Sequence, residues 1–264
     1  MKIEQITAEY REHMGSDLSV VNAARASFGK ESTWEPGSVM LEDGGRRLRE
    51  ADANLIRFLA TGYRTSEWKQ FLDDIRAVAQ FSSDAALTDL LKEYKRKAQH
   101  WAPFAHPHVT IRISLPIFLA RQFVKHQVGG VWSEESRRYI SDEPGVWFPN
   151  EWHTRPEDIK QGSGGTLGYS DQAAVGYEMR NAVAQATGTY SFALASGVAP
   201  EEARIVLPLN MMTTVVWTGS LLFWSRVCNQ RVDSHAQLAA QELGRKIADI
   251  VRPLYPVSWA ALCE

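Results

Sequence analysis

A run of apolar residues that ends in two glycines is the feature that most constrains how this 264-residue chain folds. Ile117–His126 places apolar residues at helical spacing, and Ser114 is a suitable N-cap for the helix. Gln122 and His126 are four residues apart, so the helix would place both on one face. Gly129-Gly130 would then end it. The pattern predicts a rigid helix that supports whatever follows the glycines.

Forked donors and hydroxyls are concentrated around this predicted break, and residues 133–138 are expected to form a loop. Guanidinium groups bind phosphate in a bidentate manner, so such a cluster indicates a site for a phosphate and a planar polar ring. Two further segments, at 202–210 and 229–237, also combine arginine with other polar side chains. Together the three clusters favour nucleotide chemistry. The polar residues that carry this interpretation within 121–139 are Arg121, Gln122, Lys125, His126, Gln127, Glu134, Ser136, Arg137 and Arg138.

Overall charge and hydrophobicity exclude several classes of protein. The formal net charge is −2, which disfavours a general nucleic-acid binder. No apolar run approaches the roughly 20 residues of a membrane span, and the first residues lack the apolar core of a secretion signal. Cys228 and Cys263 have no metal-ligand spacing and are expected to be reduced thiols. These features predict a cytoplasmic protein without a membrane or nucleic-acid partner.

Hydrophobic periodicity predicts an α+β fold, with helices around a small mixed or antiparallel sheet. One domain spanning 1–264 is expected, with irregular insertions near 29–45 and 141–168. Residues 215–218 are either a short strand or a helix entry. The remaining predicted elements are helices at 17–25 (capped by Ser16 or Asp17), 46–62, 65–80, 84–99, 170–196 (ended by Gly197), 219–229 and 233–252, and a strand at 107–114.

Arg204 and Arg231 each have an ordinary interpretation beside the functional one. A lone arginine before the apolar run at 205–209 is usually a surface ion-pair partner. An arginine beside a pyrimidine ring would instead stabilise negative charge on N3 and O2 when C5 becomes nucleophilic. Asp233 is predicted to be the N-cap of the final helix, with His235 and Gln237 in its first turn.

Two other kinds of site are disfavoured by spacing. The histidines at 100, 106, 108 and 126 match no strong zinc or iron motif, so no metal site is predicted. Ser136 has no evident Asp-His-Ser arrangement around it, so it is expected to donate hydrogen bonds to a ligand rather than act as a nucleophile.

Four collinear segments resemble the flavin-dependent thymidylate synthases, the ThyX family. The resemblance covers most of the chain apart from the two insertions. It rests on 17–28, on 116–122 continuing into 134–139, on 196–210 and on 231–237. It implies a homotetramer whose active sites are shared between subunits around FAD.

The reaction implied by the resemblance transfers a one-carbon unit from methylenetetrahydrofolate to C5 of dUMP, and NADPH-reduced flavin supplies hydride. Arg231 would be the catalytic residue that polarises the uracil. No enzyme nucleophile attacks the ring in that scheme, which agrees with the positions of Cys228 and Cys263 outside the motifs. The implied substrate-binding residues are Gln122, Lys125, Glu134, Ser136, Arg137, Arg138, Arg204 and Arg231.

The flavin half of the resemblance is altered. The Arg-His-Arg signature of the family is Lys125-His126-Gln127 here, and the loop that leads to Ser136 is one residue longer. Ala102 and Ala105 stand where a polar and an acidic residue are usual, and Leu222 stands at another polar position. Lysine lacks the bidentate fork of arginine, so this change is not conservative. The cofactor-binding residues expected here are Lys125, His126, Gln127, Glu134, Ser220 and Arg226.

These departures leave two other functions open. The first is an enzyme that methylates or hydroxymethylates C5 of another pyrimidine nucleotide, such as dCMP or UMP. The second is a non-catalytic protein that still binds dUMP but has lost the ability to bind flavin.

Overall fold

In the part of the chain that the structure describes, helices accompany two small sheets, as the predicted α+β class requires. The structure is a computed structural model, and it describes residues 2–36, 46–81, 99–156 and 162–263. The predicted helix at 84–99 lies outside these residues except at its end, as does most of the predicted loop at 29–45. The described helices are α1 (Asp17–Arg25), α2 (Glu50–Thr61), α3 (Thr65–Phe81), α4 (Ile117–Phe123), α5 (Tyr169–Ala195), α6 (Pro200–Ala203), α7 (Leu221–Arg231), α8 (Leu238–Val251) and α9 (Pro256–Cys263).

Two sheets accompany the helices. The smaller pairs two short strands in parallel, and the larger has the strand order β2-β3-β6-β4. In the larger sheet β4 runs antiparallel to β6, with Trp132 opposite Trp217. The strands are β1 (Lys2–Ile3), β2 (Thr7–Met14), β3 (His108–Pro116), β4 (Gly130–Glu134), β5 (Gly145–Val146) and β6 (Met212–Ser220).

The chain divides into two compact units. The first comprises Met1–Glu12, Thr110–Gly219 and Arg226–Ile250, and the second comprises His13–Val109, Ser220–Ser225 and Val251–Glu264. The single-domain assignment stays a prediction.

Each unit has its own buried apolar side chains. Ile111, Ile113, Leu115 and Trp217 are almost fully buried in the first unit. Val20, Ile56, Phe104, Trp224 and Trp259 are equally buried in the second. Burial of one such side chain contributes about 1.5–3 kcal/mol, so these residues stabilise the unit to which each belongs.

Several predicted helix ends are confirmed. Ser16 is the N-cap of α1, and its N–H donates to Ser19 Oγ at 3.0 Å. Gly197 follows α5 with a φ of 85°, a left-handed conformation that glycine adopts without a Cβ penalty.

The predicted helix at 117–126 begins at Ile117 as expected, but its predicted N-cap and its C-terminal end are wrong. Strand β3 extends through Pro116, so Ser114 lies in the strand and bonds Thr214 Oγ1 at 3.2 Å instead of capping a helix. Helix α4 ends at Phe123, which leaves His126 beyond it. The shared-face argument for Gln122 and His126 therefore fails.

The polar stretch at 130–138 is also different from the prediction. Ser133 and Glu134, the first residues of the loop predicted at 133–138, instead belong to strand β4, so Glu134 ends a strand that β6 holds in register. Only Glu135 to Arg138 continue as a connection. Residues 215–218 belong to the nine-residue strand β6, which confirms the strand alternative.

The C-terminal third has a third correction. Helix α8 begins at Leu238, so Asp233 is not its N-cap and His235 and Gln237 precede it. Asp233 Oδ1 instead accepts from the backbone N–H of His235 at 2.8 Å, which closes a turn. Helix α9 and strand β2 were not predicted.

Candidate functional site

One cavity of about 560 Å³ gathers most of the predicted phosphate-binding residues. Its lining includes Glu134, Ser136, Arg137, Arg138 and Arg204. Glu134 is the last residue of strand β4, and Ser136, Arg137 and Arg138 follow directly after it. Arg204 lies in the short 3-10 turn after α6. The sequence clusters around 134–138 and 202–210 therefore meet, and this group is called the anion cavity below.

Two arginines of the anion cavity are available to a ligand. Arg138 is exposed, and its Nε donates to Ser136 Oγ at 3.2 Å. Arg204 is exposed too, and its Nε donates to the carbonyl of Glu201 at 3.2 Å. Neither forms an ion pair with a carboxylate among the described residues. Their remaining N–H groups suit a phosphate.

Arg137 behaves differently from its neighbour. Its side chain is only 9% exposed, and Nη1 donates to the carbonyl of Asp142 at 2.6 Å and to Asp142 Oδ1 at 3.1 Å. Part of its hydrogen-bonding capacity therefore fixes the segment after β4. Its role as a substrate ligand stays a prediction.

Glu134 is held by two side chains that the sequence did not single out. The indole Nε1 of Trp132 donates to Oε2 at 3.2 Å, and the hydroxyl of Thr213 donates to Oε1 at 2.9 Å. The paired strands β4 and β6 bring all three together. Alternation along β4, which places Trp132 and Glu134 on one face, is the signal that would have found Trp132.

Arg231 forms the centre of a second group, the Arg231 cluster. Its Nε donates to His126 Nε2 at 3.0 Å, and its Nη2 donates to the backbone carbonyl of Gln122 at 3.0 Å. The guanidinium carbon lies 5.4 Å from the centre of the Phe123 ring. Gln122 Nε2 donates to Gln237 Oε1 at 2.8 Å. The tertiary fold thus joins residues of the 121–139 and 229–237 sequence clusters.

Burial shapes the charges in the Arg231 cluster. It lowers the pKa of Arg231, although an arginine stays protonated at neutral pH. Burial, and secondly the positive charge of Arg231, lowers the pKa of His126 from its ordinary value of 6.5. The imidazole is therefore neutral at pH 7, as an acceptor of the Arg231 hydrogen bond must be.

Comparison with known proteins gives the family. The sequence model described as "Thymidylate synthase complementing protein" matches residues 11–257. A relative from Streptomyces avermitilis named flavin-dependent thymidylate synthase is 31% identical over 204 residues, which are 73% of this chain and 80% of that one. The chain belongs to this family.

Other relatives carry the same name. The flavin-dependent thymidylate synthase of Thermus thermophilus is 29% identical over 253 residues, 96% of this chain and 74% of that protein. A solved structure, the UMP/dUMP methylase PolB from Streptomyces cacaoi bound with 5-Br dUMP, shares the fold with a TM-score of 0.70. That match covers 99% of this chain and 96% of PolB at 23% identity. The protein is thus an enzyme of the flavin-dependent thymidylate synthase family.

The residues expected to bind flavin differ in their exposure to solvent. Lys125, Gln127 and Arg226 are exposed, and the two cations have no ion-pair partner in the described ranges. Ser220 is 4% exposed, and its hydroxyl accepts the N–H of Phe223 at 3.2 Å, which starts α7. Leu222 is buried at 9%. A contact from Ser220 to a cofactor stays a prediction.

The structure also limits other kinds of site. Within the described parts of the chain, no group of three or more His, Cys, Asp or Glu side chains is arranged to hold a metal ion. Among those same residues no helix is long and apolar enough to cross a membrane.

Proposed function

We propose that the enzyme methylates C5 of dUMP to give dTMP, with methylenetetrahydrofolate as the carbon donor and NADPH-reduced FAD as the hydride source. The observation that carries the proposal is the setting of Arg231. Its guanidinium is held at two points, by His126 Nε2 and the carbonyl of Gln122, and Nη1 has no hydrogen-bond partner among the described residues. A fixed cation with free donors is what charge stabilisation on a pyrimidine requires.

The proposed role of Arg231 follows from the chemistry of uracil. When C5 becomes nucleophilic, negative charge spreads onto N3 and O2. A cation whose position is already fixed stabilises that charge without reorganisation during the reaction. The neutral His126 contributes by holding the guanidinium above Phe123 without adding a competing positive charge.

The anion cavity supports binding of the nucleotide 5′-phosphate. Arg138 and Arg204 offer guanidinium donors, Ser136 offers a hydroxyl, and Glu134 is oriented by Trp132 and Thr213. Each charge-assisted bond to phosphate contributes about 1.5–3 kcal/mol. Arg137 is proposed to assist while its Nη1 remains bound to Asp142.

The residues expected to bind flavin include cations that would match the negative charge of the pyrophosphate in a flavin dinucleotide. Lys125 and Arg226 are exposed cations without ion-pair partners among the described residues, and they would hold its pyrophosphate, with Gln127 and Glu134 as hydrogen-bonding residues. The neutral His126 would donate to the cofactor through Nδ1. The chemistry that a flavin would supply in this position is hydride transfer. The chain's own contribution is to bind, to orient and to stabilise charge.

We also propose that the protein is a cytoplasmic homotetramer with shared sites. The anion cavity and the Arg231 cluster have no residue in common, whereas the proposed reaction uses both on one nucleotide. A site that combines the two groups from different subunits meets this requirement, and size measurement by light scattering tests the tetramer.

Mass spectrometry of dUMP incubated with protein, FAD, NADPH and methylenetetrahydrofolate tests the reaction. A product heavier by one CH2 is expected. An unchanged dUMP pool contradicts the proposal, and parallel incubations with dCMP and UMP then show whether another pyrimidine nucleotide is the substrate.

A further inference from the structure

Arg231 is the last residue of α7, and the turn that follows it is tied at both ends to one residue of α4. Arg231 Nη2 donates to the backbone carbonyl of Gln122 at 3.0 Å, and Gln122 Nε2 donates to Gln237 Oε1 at 2.8 Å. The first bond holds the start of the 231–237 turn, and the second holds its end. These three residues and their two hydrogen bonds are called the Gln122 clamp below.

Gln237 immediately precedes α8, and the first turn of that helix fixes its backbone. The carbonyl oxygen of Gln237 accepts the N–H of Gln241 at 2.9 Å, which is the bond between residues four apart with which an α-helix begins. The side chain of Gln237 therefore extends from the end of a regular helix. An acceptor whose own backbone is fixed can in turn fix the amide that donates to it.

Helix α8 also packs directly against the backbone of Arg231. A Cβ added at Gly244 would lie 2.9 Å from Val232 Cγ2 and 3.4 Å from both the carbonyl carbon and the Cβ of Arg231. Glycine at this position allows the helix to approach the end of α7 so closely. Helix α8 thus supports Arg231 twice, directly at its backbone and, through the Gln122 clamp, at its guanidinium.

The groups that orient Arg231 carry no charge. The two glutamines of the clamp are neutral amides, and His126, which accepts from Arg231 Nε at 3.0 Å, is neutral at pH 7. The carboxylate nearest in sequence, Asp233, accepts the backbone N–H of His235 at 2.8 Å instead. A carboxylate bonded directly to the guanidinium would offset its positive charge, whereas neutral acceptors orient it and leave that charge available to a substrate.

We propose that Gln237 is a positioning residue for the reaction. By holding the side-chain amide of Gln122, it keeps the Gln122 carbonyl, and with it the guanidinium of Arg231, in the orientation that stabilises charge on the pyrimidine. The link to turnover rests on the proposed function, whereas the clamp itself does not. Gln237 contacts no reacting atom in this scheme. Its loss slows turnover because a displaced cation must reorganise during the reaction.

Gln237→Met tests the kinetic role, since methionine has a similar length and offers only a weak acceptor. We expect kcat for dTMP formation to fall about tenfold, as for loss of one hydrogen bond. KM for dUMP should stay within about twofold, because Arg231 acts on charge that develops in the transition state. Gln237→Glu keeps an acceptor for the Gln122 amide and should retain most of kcat. The matched control is Gln70→Met on α3, which removes an exposed glutamine bond to Asp74 of the same 2.8 Å length.

The protonation of His126 reports on the clamp without turnover. Burial, and secondly the positive charge of Arg231, lowers the pKa of His126, so displacement of the guanidinium in Gln237→Met should raise this pKa toward 6.5. NMR titration of the full-length protein with isotope-labelled histidine measures it, and His126→Gln assigns the signal. Gln122→Met removes the same hydrogen bond from the donor side and should raise the pKa likewise, which preserves the test if Gln237→Met does not fold.

Three results overturn the positioning role of Gln237. They are a wild-type kcat in Gln237→Met, a rise in KM for dUMP without a fall in kcat, and an unchanged pKa of His126. A loss of kcat in Gln237→Glu as large as that in Gln237→Met also contradicts it, because the acceptor is kept there. If the wild-type protein forms no dTMP, the proposed function fails, and the His126 titration alone decides whether Gln237 holds Arg231.

Discussion

Arg231 donates from Nε to Nε2 of His126 at 3.0 Å, across 105 residues of sequence. Because Arg231 can only donate, the acceptor nitrogen of His126 carries no proton and the imidazole proton lies on Nδ1. The cation proposed to act on the pyrimidine is therefore positioned by a neutral ring.

Replacement of Arg231 by alanine should reduce kcat for dTMP formation about 10²–10³-fold, as for removal of one fixed donor from a charge-stabilising site. Arg231→Lys should recover little of this, because an ammonium group cannot bond His126 and Gln122 with the same fork. Initial rates and circular dichroism measure both effects, with Arg76→Ala as the matched control. Full activity in Arg231→Ala removes the proposed role.

His126 makes stability depend on pH. Its pKa is lowered from 6.5 in the folded protein, so the unfolded chain binds a proton first as the pH falls. Its contribution is fully present above about pH 6.5 and is lost progressively as the pH falls toward the lowered pKa. Urea unfolding of the wild type and His126→Gln at about pH 8 and about pH 5 measures the difference. An equal loss of stability in both proteins contradicts this assignment.

The neighbouring arginines at 137 and 138 should differ in mutational effect. Arg138→Ala should raise KM for dUMP about tenfold to a hundredfold, since one charge-assisted bond is lost. Arg137→Ala should in addition lower the thermal midpoint, because its buried guanidinium holds Asp142. Kinetics combined with thermal unfolding separate the two. A purely kinetic effect of Arg137→Ala indicates that the Asp142 contact contributes no stability.

Trp132→Phe should keep the edge-to-face packing on Trp217, with ring centres 4.8 Å apart, and remove only the hydrogen bond to Glu134. We expect a change in KM or in the pH profile of turnover with unchanged thermal stability. Thr213→Val removes the other bond to Glu134 and provides the matched comparison. Wild-type kinetics in both variants contradict a positioning role for these residues.

Asp17 links the N-terminus of α1 to α9. Its carboxylate accepts the N–H groups of Val257 and Ser258, each at 2.9 Å, and thereby caps α9. Asp17→Ala should cost about 1–3 kcal/mol, and Asp17→Asn less, because one acceptor remains. Chemical denaturation measures this, with the exposed Asp171→Ala as control. Unchanged stability of Asp17→Ala shows that the cap is dispensable.

Local patterns in the sequence determined much of the secondary structure. Helices α1, α2, α3 and α5 and the strand alternation of β3 follow from periodicity and end signals such as Ser16 and Gly197. These signals act within a few residues of the chain, so the sequence carries them without tertiary contacts. The polar clusters around 134–138, 204 and 231 likewise indicated a nucleotide site from residue types alone.

Only the tertiary structure decided the pairings between distant residues. β4 was hidden because Gly129 and Gly130 suggested a loop, whereas hydrogen bonding to β6 makes 130–134 a strand. The bond from Arg231 to His126, the occupation of Arg137 by Asp142 and the support of Glu134 by Thr213 depend on how strands and helices meet. Such contacts arise from packing and burial, which no local pattern encodes.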